Sequence, residues 1–146
     1  MTSVSAVSLT HVSATIDASK VVEVVSALKA IGFDHAKSVT GIDFPESNKI
    51  DVVYHLSSFG VLELAKFILE IRTSLNRQDP KIHSVAEVLP SAEYLERETA
   101  DLMGVVFEGL SSTGRFMLPE NFEGNPLRKD FRIKTEGIDA LAKKRL

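Results

Sequence analysis

The chain contains no cysteine and no tryptophan. The first absence excludes a disulfide framework, a thiolate nucleophile, cysteine-ligated zinc and a cysteine-held iron–sulfur cluster within this polypeptide. No apolar run approaches the roughly 20 residues that a membrane-crossing helix needs. The opening MTSVSAVSLT lacks the basic start and apolar centre of a secretory leader, so a cytoplasmic location is expected. Only five prolines and eight glycines punctuate the 146 residues, of which 44% are hydrophobic and 25% charged. That composition suits a single domain, which at this size buries roughly 70% of the surface its unfolded chain exposes.

Charge is unevenly distributed. The net charge of -3 gives no general attraction to nucleic acid. Residues 126–146, however, carry seven basic against three acidic side chains, the basic ones being Arg128, Lys129, Arg132, Lys134, Lys143, Lys144 and Arg145. Such a terminus suits solvent, an acidic protein surface or an anionic lipid face. Phe131 alone offers these cations an aromatic ring for base stacking, which argues against nucleic acid.

Hydrophobic periodicity predicts a mixed fold. Residues 9–16, rich in β-branched and small side chains, read as a short edge strand. Asp17 or Ser19 can cap a helix whose stripe is Val21, Val24, Val25, Leu28 and Ile31, closed by Gly32. Residues 33–44 read as a strand and the Pro45–Asn48 tetrapeptide as a turn. The returning strand alternates, with Ile50, Val52, Tyr54 and Leu56 on one face and Asp51, Val53, His55 and Ser57 on the other. Residues 64–73 repeat the alternation, with Ala65, Phe67, Leu69 and Ile71 inside and Lys66, Glu70 and Arg72 outside. A further strand is expected over residues 82–89. A second helix then runs from Pro90 or Ser91 to Met103, with Ala92, Leu95, Thr99 and Leu102 inward and Gly104 as its stop. The expected class is α+β: a mostly antiparallel sheet with helices packed on one face, followed by an extended irregular C-terminal tail. Residues 1–107 form the domain and residues 108–146 the tail, where Gly109, Gly114, Pro119, Gly124 and Pro126 interrupt any period. A long irregular segment of this kind is uncommon unless something else orders it.

Motifs for chemistry are scarce. His11, His35, His55 and His83 fall in separate strands without metal-ligand spacing, so each reads as a surface strand residue. Phosphate loops and nucleophile elbows are missing. The densest polar cluster is Glu93, Glu96, Arg97, Glu98 and Asp101 on the second helix, where four-residue spacing lets Arg97 bridge Glu93 and Asp101. This cluster is a solvated helix face, a carboxylate-based catalytic site using Glu96 or Glu98, or a face that docks on another protein through desolvated charge pairs. An adaptor acting on membrane surfaces or nucleic acid through the basic end is a further alternative.

The run from Ala92 to Gly104, AEYLERETADLMG, resembles the Glu-Arg-Glu-x-x-Asp signature of the C-type peripheral-arm subunit family of complex I. FEGNPLRKDF, from Phe122 to Phe131, is similar to that family's Trp-x-Gly-x-Pro-Leu-Arg-Lys-Asp tail, and the two occur in the family's order. Weaker similarity covers Thr40-Gly41-Ile42-Asp43, the Val52-Val53-Tyr54 strand and Ser84-Val85. Tyr94 and Phe122 stand where tryptophan is usual, and Leu110 where a histidine or lysine is usual. The resemblance implies a subunit with no catalytic residue, metal site or cofactor of its own, in the peripheral arm of a respiratory NADH:quinone oxidoreductase. A relative using reduced deazaflavin, ferredoxin or hydrogen is the variant reading. Iron–sulfur clusters and quinone are then expected in partner subunits. The implied partners are the large hydrogenase-like quinone-site subunit and the small iron–sulfur subunit, and the implied location is the inner face of the cell membrane, reached only through the complex. The residues expected to dock are Glu96, Arg97, Glu98, Asp101, Arg115, Phe122, Pro126, Leu127, Arg128, Lys129 and Asp130. The tail would gain order on its partner, which must offset the conformational entropy lost.

Overall fold

A computed structural model describes residues 3–111 and 114–132. The basic residues Lys134, Lys143, Lys144 and Arg145 lie outside the described residues. The fold is α+β, as the periodicity predicts. Strands β1 (Ser3–Ser8), β2 (His11–Thr15), β3 (His35–Phe44), β4 (Lys49–Ser57) and β5 (Ile68–Asn76) form one sheet in the order β1-β2-β5-β4-β3. Helices α1 (Val21–Ala30) and α2 (Glu93–Met103) contribute to the core on one of its faces. Strands β6 (Lys81–His83) and β7 (Val106–Glu108) make a small parallel pair.

Local chemistry sets these boundaries. The Asp17 carboxylate accepts the Ser19 amide at 2.9 Å and caps the 3-10 turn that leads into α1. Val21 and Val25 of α1 are fully buried, Val24 and Leu28 pack at the edge of the core, and Ile31 is exposed. Pro45–Ser47 and a left-handed Asn48 turn β3 back into β4. On β4 the alternation holds, with Ile50, Val52, Tyr54 and Leu56 all in the core.

Four expectations are corrected. The segment expected as one edge strand over residues 9–16 is part of a hairpin: β1 is the edge, and β2 pairs in parallel with β5, so the sheet is not wholly antiparallel. The strand expected over residues 64–73 starts later, because turn bonds from the Leu64 amide to Val61 O and from the Ala65 amide to Leu62 O draw that stretch out of the ladder. Its phase is as expected, and Ile71 and Leu75 are buried. The strand expected over residues 82–89 stops at His83, since the amides of Val88 and Leu89 both turn back onto Val85 O. In α2 the inner stripe is Ala92, Glu96, Thr99 and Met103, one residue around from the expected Leu95 and Leu102, which are half-buried.

Gly41 of β3 lies directly beneath Met103. A Cβ at this position would sit 2.8 Å from Met103 Cγ and 3.3 Å from its Cβ, and the buried methionine has little room to retreat. Thr99 Oγ1 donates to Val39 O at 2.9 Å just beside it, fixing α2 over β3. We therefore expect Gly41→Ala to lower the unfolding free energy by about 1–3 kcal/mol through overpacking, despite alanine's better backbone entropy. Urea denaturation of the two proteins measures it.

Candidate functional site

The C-terminal half of α2 and the chain that returns to it form the most densely bonded polar region of the described residues. Asp101 stands on the last turn of α2 with its side chain almost wholly buried. Its Oδ2 accepts three successive backbone amides, from Phe116 at 3.2 Å, Met117 at 2.7 Å and Leu118 at 2.8 Å. Its Oδ1 accepts Arg115 Nη1 at 2.8 Å. Burial alone would raise the pKa of this carboxyl, but the guanidinium and the three amides outweigh it and hold the group below the usual carboxylate range. Arg115 in turn donates through Nη2 to Phe122 O at 2.7 Å and reaches Gly124 O at 3.4 Å.

Helix ends leave their last carbonyls without intrahelical donors. At the end of α2 these are met by the returning chain. Asn125 Nδ2 donates to Asp101 O at 3.3 Å, the Leu127 amide to Leu102 O at 3.1 Å and Arg128 Nε to Met103 O at 2.8 Å. Gly104 closes the helix at φ 70°, and a Cβ there would lie 2.6 Å from Asn125 Oδ1. The Asn-Pro-Leu-Arg run is thus the C-terminal cap of α2, with Arg128 placing its charge where the helix dipole favours a cation. One residue on, the Lys129 amide donates to Asp43 Oδ2 at 2.9 Å. Asp43, buried at the end of β3, is gripped by Arg77 through Nε at 2.7 Å and Nη2 at 3.1 Å, and Arg77 also pairs with Asp130 at 2.8 Å. The Arg77 hydrogen bond, with the Lys129 amide assisting against the effect of burial, lowers the Asp43 pKa.

Glu96 belongs to the core and is fully buried. Its carboxylate accepts the Ser84 hydroxyl, the Val85 amide at 2.9 Å and, at 3.4 Å, the Tyr54 hydroxyl of β4. Burial dominates and raises its pKa. Arg97 makes no bridge to Glu93 or Asp101. Its guanidinium instead lies 4.5 Å from the Phe116 ring centroid and 5.7 Å from that of Tyr94, and Glu93 accepts Ser111 Oγ at 3.1 Å.

The uniformly solvated charged face open to a helix of this composition is therefore replaced by a division. Glu96 turns into the core, Asp101 is covered by the returning residues 116–118, Tyr94 is exposed, and Arg97 and Glu98 are half-buried. Of the tail residues, Arg115, Arg128 and Asp130 are engaged within the chain. Phe122 stacks on Phe131 with centroids 5.8 Å apart, Pro126 is half-buried, Leu127 is exposed, and Lys129 places its ammonium 5.6 Å from the Phe44 ring. The expectation of a tail with little packing on its own chain is corrected for residues 115–131: buried carboxylates and helix-end carbonyls supply the partners that hydrophobic periodicity does not register. Leu110, at the position where a histidine or lysine is usual, joins the core. Arg77 escapes a search by motif, whereas Asp43 and Asn125 lie within runs that resemble the family's but are not among the residues expected to dock. Asp43 does leave a trace, as a carboxylate on the inward side of the alternation that includes Val39 and Gly41.

The two buried carboxylates respond oppositely to pH. Asp101, with a lowered folded value, contributes stability that is present above its unfolded value and lost as pH falls through the folded one; Glu96, with a raised value, contributes most below its unfolded value and loses it as pH rises. Asp101→Asn should accordingly destabilise the protein by about 2–4 kcal/mol near pH 7, with the deficit shrinking in acid. For Glu96→Gln the stability relative to the parent should improve as pH rises. Urea unfolding of the three proteins from pH 4 to 7.5 checks both signs.

Residues 14–137 match the family described as the respiratory-chain NADH dehydrogenase 30 kDa subunit. Over 107 residues the chain is 42% identical to the C-type subunit of NADH-quinone oxidoreductase from Moorella thermoacetica, covering 73% of this chain and 69% of that one. Over 123 residues it is 35% identical to the C-type subunit of the F420H2 dehydrogenase of Methanosarcina mazei, covering 83% and 75% respectively. It spans 41% and 48% of two longer curated relatives. Among solved structures, a chain of the membrane-bound sulfane sulfur reductase, an archaeal respiratory membrane complex, shares the fold with a TM-score of 0.80 at 22% identity, over 99% of this chain and 84% of that one. The buried Glu96, the Asp101 carboxylate and the Pro-Leu-Arg-Lys-Asp cap are thus features of a chain that belongs to the family of the respiratory-chain NADH dehydrogenase 30 kDa subunit.

Proposed function

We propose that this chain is a connecting subunit, without a redox centre of its own, in the peripheral arm of a complex I-type NADH:quinone oxidoreductase. In this reading it docks on the large hydrogenase-like subunit that forms the quinone site, beside the small iron–sulfur subunit, and supports assembly of the quinone-reducing module. Iron–sulfur clusters and quinone belong to those neighbours. The chain reaches the inner face of the membrane only through them; among the described residues no helix is long and apolar enough to cross a bilayer.

The observation that carries this reading is the outward surface built on an internal latch, the Asp101–Arg115 pair and the Asn125–Arg128 cap that hold the returning segment against α2. Tyr94, Arg97 and Phe116 cluster, each within 6 Å of the other two, and Met117 and Leu127 stand exposed on the same returning segment. Aromatic residues, methionine and arginine are the side chains enriched at protein interfaces. The returning segment also lines a groove of about 630 Å³ with Leu118, Phe122, Pro126 and Phe131. Because Asp101, Arg115 and Arg128 fix the backbone beneath, docking need not order this segment, and association loses less entropy. For a stand-alone carboxylate enzyme using Glu96 or Glu98, the same geometry disfavours Glu96, which is sealed in the core. The second reading is an equivalent subunit of a reduced-deazaflavin dehydrogenase or a membrane-bound hydrogenase, and the F420H2 dehydrogenase relative from Methanosarcina mazei supports the first of these.

Replacing surface groups without disturbing the latch separates docking from folding. Arg97→Ala combined with Phe116→Ala should leave the circular dichroism of the chain unchanged and reduce its co-purification with the other peripheral-arm subunits at least tenfold. Arg128→Glu should also reduce assembly, but with loss of stability. Parental recovery of the complex with the double variant contradicts the reading.

A further inference from the structure

The sheet face opposite the helices carries a cluster that no motif announces and that the docking surface leaves unused. Alternation places Ser13 of β2, Glu70 of β5, His55 of β4 and Ser38 of β3 on that face, and the strand register sets them in one row: Ser13 opposite Glu70, Glu70 opposite His55, His55 opposite Ser38. His11, two residues before Ser13, reaches in from β2, with its ring centroid 6.0 Å from that of His55. His11 Nε2 lies 3.5 Å and His55 Nε2 3.6 Å from the same atom, Glu70 Oε2, and the three ligand atoms all fall within 4.8 Å of one another.

Three features distinguish this arrangement from an ordinary surface ion pair. First, both nitrogen–oxygen separations exceed the hydrogen-bonding range. They match the edge of a coordination tetrahedron, since ligands about 2.0–2.2 Å from zinc lie roughly 3.3–3.5 Å from each other. Second, the outer partners leave the converging atoms free. His55 Nδ1 is held by Ser38 Oγ at 2.8 Å, and Glu70 Oε1 accepts Ser13 Oγ at 2.9 Å and Arg72 at 3.3 Å, so Nε2 and Oε2 remain to face the centre. Such secondary contacts orient metal-binding imidazoles and carboxylates. Third, His11 Nε2 is shielded from solvent and makes no hydrogen bond. Arg72 shares its charge with Asp51 at 3.3 Å, so the two carboxylates exceed the one guanidinium and the local balance favours a cation.

We propose that His11, His55 and Glu70 bind one divalent transition-metal ion of the zinc class. Two imidazoles and one carboxylate suit zinc, cobalt or nickel rather than magnesium or calcium, which prefer oxygen ligands throughout. Three ligands from the chain leave a fourth position for water or for a side chain supplied from outside.

The test is titration of the full-length chain with Co2+, followed by displacement with Zn2+. One equivalent of cobalt should give the visible absorption of a four-coordinate ion, and zinc should abolish it. His11→Gln, His55→Gln and Glu70→Gln should each weaken binding more than tenfold while retaining the parental circular dichroism. His83→Gln, which removes an exposed histidine 3.5 Å from Glu108, should change nothing. The use of three separate ligand variants keeps the test open should one of them fold poorly. Absence of stoichiometric binding, or binding unchanged in the variants that fold, overturns the proposal.

Discussion

The carboxylate of Asp101 is the point at which the chain closes on itself. It sits at the negative end of α2, where a second negative charge is unfavourable unless cations and amide dipoles surround it. Arg115 and three consecutive amides do so. Once these are drawn in, the following residues are carried to the end of α2, where Asn125, Leu127 and Arg128 find the carbonyls that the helix leaves open. The Asp43–Arg77–Asp130 bridge then ties the same segment to the ends of β3 and β5. An irregular stretch of chain thereby acquires a defined path with little hydrophobic burial of its own.

The second buried carboxylate acts differently. Glu96 occupies a position on the inner stripe of α2 that an aliphatic side chain would ordinarily fill, and it is accommodated because Ser84, Val85 and Tyr54 all donate to it. These contacts tie the turn after β6 and strand β4 to α2. Tyr94, on the other side of the helix, is exposed, and Arg97 is half-buried next to it. The signature on α2 thus does two things: Glu96 on the inner stripe sets the helix against the core, and Asp101, on the same flank as Tyr94 and Arg97, anchors the returning segment that carries Phe116.

The strands and helices are largely legible in the sequence, because period-two and period-3.6 patterns report directly on which side chains leave water. Ile50, Val52, Tyr54 and Leu56 declare β4 without any tertiary information. The hairpin of β1 and β2 is hidden because β1 is exposed on both faces and so carries no hydrophobic alternation, and the parallel pairing of β2 with β5 depends on a partner more than fifty residues away. Polarity argues against Glu96 being inside and so shifts the apparent stripe of α2 by one residue, a penalty that three local donors cancel. Pairing of Asp101 with Arg115 rather than Arg97 is likewise hidden, since helical spacing favours the near partner and only the folded path brings the far one. The histidines are the least legible of all: His11, His55 and Glu70 lie on three strands, and their convergence exists only in the register of the assembled sheet.

The account rests on the latch being intrinsic to this polypeptide, so that its partners meet a surface already formed. Hydrogen exchange on the isolated chain, read by mass spectrometry at the amides of Phe116, Met117, Leu118, Leu127 and Lys129, addresses that directly. Strong protection at these five positions without any other subunit is the result predicted here. Exchange at the rate of an unstructured peptide, with protection appearing only when partner subunits are added, would contradict it.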